Sequence, residues 1–125
     1  MKENEIWFPT IEDVKESNKI AVTQYKAVKA ERFEVLSEKK IQEAIDYLKS
    51  KEGSIEIKAS ALLLQISDKH PFSSGNRRTA YLMMNMFLWK NSGYIIAKKR
   101  VLIEELFKRI RRESLSEEDI LQWYG

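Results

Sequence analysis

Apolar residues recur at every third or fourth position through most of this chain, and the pattern predicts about six helices. Thr10 and Asp13 form an N-cap pair for the first, which runs to about Tyr25 with Ile11, Val14, Ala21, Val22 and Tyr25 on one face. The second starts near Ser37 and spaces Ile41, Ala44, Ile45 and Leu48 helically until Gly53 closes it. A third covers about Ser54 to Asp68 with Ala59, Leu62, Leu63 and Ile66 inward, although Ser-Ile-Glu-Ile at its start fits an extended segment equally well. The fourth, from about Asn76 to Lys90, is apolar almost all round, as expected of a helix in the middle of a bundle, and Asn91-Ser92-Gly93 ends it. A fifth carries Leu102, Ile103, Leu106, Phe107 and Ile110 on one side. Ser116 with Asp119 caps a short last helix ending at Trp123 and Tyr124.

Two stretches break the helical period. From Lys29 to Leu36 the apolar residues Ala30, Phe33, Val35 and Leu36 keep no spacing of 3.6, which predicts an extended flap or short hairpin. Tyr94 to Ala97 reads as a short strand. The expected architecture is therefore all-α: a compact helical bundle around a buried central helix, with a small extended flap. At 125 residues it is expected to be one domain, 1–125.

Composition narrows the function classes. There is no cysteine and a single histidine, so disulfides, thiolate metal sites and histidine clusters are excluded. No apolar run is long enough to cross a bilayer, and the first residues show no signal-peptide pattern, so a cytoplasmic protein without membrane contact is expected. A net charge of +3 does not by itself argue for nucleic acid. The basic run Lys98-Lys99-Arg100 and the segment Lys108 to Arg112 read as solvated helix faces, and no specific nucleic-acid partner is expected.

The segment most charged with chemistry is HPFSSGNRR, from His70 to Arg78, placed just ahead of the central helix. Unpaired N–H groups at a helix start attract anions, and the helix dipole adds to that pull. Arg77 and Arg78 at the same end oppose the dipole unless an anion sits there. The one imidazole of the chain lies beside them and can take a proton near neutral pH.

This segment resembles the signature of the Fic/Doc family, His-x-Phe-x-acid-Gly/Ala-Asn-Gly/Lys-Arg, with His70, Phe72, Gly75, Asn76, Arg77 and Arg78 at matching positions. The nearer likeness is to the Doc (death-on-curing) toxins, which Thr79-Ala80 and Asn91-Ser92-Gly93-Tyr94 also echo. The resemblance implies that His70 is a catalytic general base toward a hydroxyl of a target protein and that Phe72 is a buried anchor of the loop. It implies that Gly75 and Asn76 seat a nucleotide phosphate, and that Arg78 pairs with phosphate oxygens and stabilises charge in the transition state. Where AMP-transferring members carry Gly, this chain carries Arg77, which favours the Doc arrangement and transfer of the γ-phosphoryl group of ATP.

Ser74 occupies the position of the family's metal-binding acid, and a neutral hydroxyl is a weaker ligand for Mg²⁺ than a carboxylate. The readings implied are a Doc-like kinase of a toxin–antitoxin pair, acting on a translation elongation factor of the Tu type, or a protein adenylyltransferase. A third is a catalytically silent domain binding a nucleotide or protein partner. Ser114 to Asp119 is the nearest match to the restraining segment of family members but lacks its final Gly or Asn. It reads as helix capping, so restraint is expected from a separate antitoxin.

Overall fold

The computed structural model describes residues 5–24 and 31–125. Among them six helices follow one another: α1 (Ile11–Gln24), α2 (Glu38–Ser50), α3 (Ile55–Lys69), α4 (Asn76–Ser92), α5 (Arg100–Glu113) and α6 (Glu117–Tyr124). No sheet forms among the described residues; the one β contact is an isolated antiparallel bridge between Val35 and Phe72. The all-α bundle expected from the periodicity is the architecture found.

The helix starts are set by short polar residues that satisfy otherwise orphaned N–H groups. Thr10 N–H donates to Asp13 Oδ2 at 2.8 Å and Asp13 N–H donates to Thr10 Oγ1 at 3.2 Å, a reciprocal pair that begins α1. Ser116 and Asp119 repeat the device at α6. Ser37 and Ser54 accept from the N–H groups of Lys40 and Ile57 to begin α2 and α3. The Ser-Ile-Glu-Ile segment is therefore the first turn of a helix rather than a strand.

The core is built around α4. Its Thr79, Ala80, Met83, Met84, Phe87 and Leu88 are buried, and Ala59, Leu62, Leu63 and Ile66 of α3 meet them. α1 crosses α4 on another side, and α2 and α6 pack on α3. Trp7 and Phe8 close one end over Phe87, with ring centroids 6.5 and 6.1 Å away. Asn91 ties this staple to the end of α4, accepting from Trp7 N–H at 2.8 Å and donating to Trp7 C=O at 3.1 Å.

Several expectations need correction. α4 is not apolar-faced into core all round, since Trp89 is 60% exposed at its last turn. Leu102 stands on the open side of α5 rather than with Leu106, Phe107 and Ile110. Tyr94 to Ala97 is not a strand. Ile96 instead has its backbone polar groups held by side chains of α4: its N–H donates to Asn85 Oδ1 at 2.8 Å, and its C=O accepts from Tyr81 Oη and Asn85 Nδ2. A backbone satisfied this way needs no neighbouring strand. Of the flap, Lys29 and Ala30, like Tyr25 of the first helix, lie outside the described residues. Residues 31–36 form no hairpin among the described residues; Glu34 to Leu36 pair with the His70–Arg78 loop instead. Leu36 N–H and Ser37 N–H both reach Pro71 C=O, and Ser73 N–H reaches Glu34 C=O.

Candidate active site

The loop between α3 and α4 is fixed from three directions. Asn76, the first residue of α4, turns its amide back onto the loop: Oδ1 accepts from Phe72 N–H at 3.0 Å and Nδ2 donates to Phe72 C=O at 2.9 Å. Phe72 itself is buried, with Phe33 of the extended segment against its ring at a centroid distance of 6.3 Å. From α1, Asn18 Nδ2 donates to Ser74 C=O at 2.9 Å and to Thr79 Oγ1 at 3.0 Å. Both Phe72 and Asn76 thus hold the loop's shape, and the amide of Asn76 is engaged before any ligand arrives.

Gly75 caps α4 in the left-handed region, φ +74°. A Cβ there would lie 2.8 Å from Val22 Cγ1, so the close crossing of α1 demands the bare residue as much as the turn does. Among the described residues no side chain caps the first N–H groups of α4, the arrangement by which helix starts receive anions.

His70 ends α3 with φ +48° and ψ +59°, a conformation that costs an L-residue about 1–2 kcal/mol. Only one other non-glycine among the described residues has a positive φ, Ser114 at the end of α5. Both line the same pocket, of about 380 Å³, between the end of α3, the start of α4 and the α5–α6 turn. That volume lies within the range of about 300–1,000 Å³ usual for small-molecule sites. The imidazole is exposed, and its Nδ1 lies 3.4 Å from Asn76 Nδ2. Because Phe72 N–H claims the other end of the amide, the group facing Nδ1 is a donor, which biases the neutral ring toward carrying its proton on Nε2.

The two arginines part company. Arg77 joins His70 at the pocket. Arg78 is absent from its lining: one guanidinium nitrogen donates to Ala21 C=O at 3.0 Å, and another meets Glu31 Oε1 at 2.7 Å. Glu31, only 7% exposed at its side chain, is the partner of Arg78 that sequence reasoning missed, since nothing in a non-periodic segment marks it. Asn18 was also missed. A signal for it existed, because Ser17 and Asn18 interrupt the apolar stripe that buries Val14, Ala21 and Val22.

The rest of the pocket comes from residues the motif does not contain. Asp68, Gln65 and Leu64 face it from α3, Tyr47 from α2, Phe107, Ile110 and Arg111 from α5, and Glu117 from α6. Glu117 is committed to its own side: it pairs with Lys51 Nζ at 3.1 Å and accepts from Tyr47 Oη at 2.9 Å. Burial disfavours its charged form. The Lys51 ammonium, a backbone N–H and the Tyr47 hydroxyl outweigh that and hold the carboxyl below its ordinary range.

The residues present do not fit a resident Mg²⁺ ion. Ser74 Oγ, at the position of the expected acid, is buried and makes no hydrogen bond among the described residues. No group of three or more histidine, aspartate or glutamate side chains there could hold a metal. Mg²⁺ depends on carboxylate oxygens for its protein contacts, and this loop supplies none. No helix among the described residues is long and apolar enough to cross a membrane.

The loop thus brings together a lone imidazole at a left-handed helix end, a helix N-terminus without a side-chain cap and a pocket whose lining includes Arg77. The model of the Fic/DOC family matches residues 7–88, about two thirds of the chain, and the chain belongs to that family. The match takes in α1 to most of α4 and stops before α5. No curated protein and no solved structure matches the chain.

Proposed function

We propose that the chain is a protein-modifying transferase of the Doc-like kind, moving the γ-phosphoryl group of ATP to a hydroxyl of a target protein. The observation that carries this reading is the sharing of one pocket by His70 and Arg77 at the uncapped start of α4. Backbone N–H groups of Gly75, Asn76 and Arg77 would seat a phosphate, with the Arg77 guanidinium as the counter-charge. A side chain of that size at the first turn crowds an α-phosphate, which supports phosphoryl over AMP transfer.

In the step itself, the target's hydroxyl oxygen attacks the γ-phosphorus and the bond to the β–γ bridging oxygen breaks, leaving ADP. The hydroxyl proton passes to His70. The nitrogen that would take it is Nδ1, which the Nε2-protonated ring leaves bare and which only the long 3.4 Å approach of Asn76 Nδ2 engages. Arg78 reaches phosphate only by sharing or exchanging the Glu31 carboxylate. A toxin role, a separate antitoxin and an elongation factor as target belong to the same proposal and rest on the likeness to Doc.

Ser74 supports a second reading, a nucleotide-binding domain without transferase activity, because its buried hydroxyl replaces a carboxylate. Incubation with α- and γ-labelled ATP and a cell lysate, with and without Mg²⁺, separates the outcomes. Label transferred from the γ position alone is expected. Label from the α position would turn the assignment to AMP transfer. Label appearing only in Ser74→Asp would make the natural chain a silent binder.

A further inference from the structure

Four arginines lie on α5, and three of them pair with glutamates of that helix: Arg100 with Glu104, Arg109 with Glu113, and Arg112 with Glu105 and Glu113. Arg111 makes no ion pair or hydrogen bond among the described residues, and neither does Arg77. Both line the pocket that holds His70. Its two acids are Asp68 and Glu117, and Glu117 is already neutralised by Lys51. Two guanidinium groups therefore share one pocket with a single uncommitted carboxylate.

Chance placement on a solvated face is a poor account of Arg111. It follows Phe107 by one helical turn; Phe107 is buried against the core, and both residues line the pocket, so Arg111 lies on the pocket side of α5. Two guanidinium groups on the lining of one pocket suit a ligand with two linked anionic groups, which would gain charge-assisted hydrogen bonds from both. Apolar lining residues such as Leu64 and Ile110 offer a surface for the less polar part of such a ligand.

We propose that Arg111 is a second phosphate-binding cation of this pocket, acting with Arg77 so that the site selects ligands bearing two or more linked phosphates over monophosphates. The inference rests on the reading of the pocket as a phosphate-donor site. It adds a residue from a helix outside the part of the chain that matches the family model.

Calorimetric titration of the full chain with inorganic phosphate, pyrophosphate, AMP and ATP tests it, in the natural protein and in Arg111→Gln. The natural protein is expected to prefer pyrophosphate to phosphate and ATP to AMP. Arg111→Gln is expected to bind pyrophosphate and ATP about tenfold more weakly while leaving phosphate and AMP nearly unchanged. Arg111→Lys should recover part of the loss. Arg111 is exposed, so an unaltered melting temperature verifies that the variant folds. A variant that keeps the full preference overturns the inference even if ATP transfer is found. Arg111-dependent pyrophosphate binding without ATP binding or transfer would uphold the inference and remove the transferase reading. Absence of binding by every probe removes both.

Discussion

Replacing His70 with asparagine is expected to lower phosphoryl transfer by about a hundredfold to ten-thousandfold, the usual contribution of a positioned general base. Asparagine is the informative substitute because it tolerates the left-handed backbone that position 70 adopts, whereas most residues would add strain to the loss of the base. The imidazole is exposed, and its one hydrogen-bonding approach among the described residues is the long one to Asn76, so the fold has little to lose. Melting temperature and ATP affinity should stay close to those of the natural protein while the γ-label no longer reaches protein. Transfer at the natural rate in His70→Asn would remove the histidine from the chemistry.

The largest expected effect on stability comes from Phe72→Ala, about 3–5 kcal/mol by denaturant unfolding. The ring is 1% exposed and joins the main core cluster. Its backbone carries both bonds to Asn76 and the bridge to Val35, so the cavity would open under the loop that holds the site together. For a domain whose whole stability is on the order of 5–15 kcal/mol, such a loss takes a large share. Phe72→Leu, which keeps most of the volume, should cost far less. Equal effects of the two substitutions would show that the ring does not anchor the loop.

These two residues also show what could be read from the chain before its structure. Phe72 and His70 stand at fixed places in a contiguous motif, and the resemblance to the Fic/Doc signature implied a buried anchor and a base there; the structure buries the ring and leaves the imidazole exposed. The helices were legible for the same reason. Capping pairs such as Thr10 with Asp13 act over three residues, and the period of 3.6 is written directly in the apolar spacing.

What was not legible depends on partners distant in sequence. Arg77 and Arg78 are neighbours in sequence, yet successive helical residues diverge by about 100°. One accordingly faces the pocket, and the other turns to Ala21 and Glu31. Ile95-Ile96 has the composition of a strand, but the groups that satisfy Ile96 are side chains of Tyr81 and Asn85 one helix earlier. Arg111 was read as one charge in a solvated run. Its distinction is that it has no glutamate partner among the described residues and lines the pocket beside the buried Phe107, and only the packed structure displays both facts.

The most direct test of the account follows the ring protons of the chain's one histidine by nuclear magnetic resonance while ATP is added. With a single imidazole in the sequence, its signals need no assignment by mutagenesis. The account predicts a saturable shift of those signals, weakened when Arg77 is replaced by glutamine. Signals that stay fixed at ATP concentrations well into the millimolar range, in a protein whose spectrum shows it folded, would contradict it.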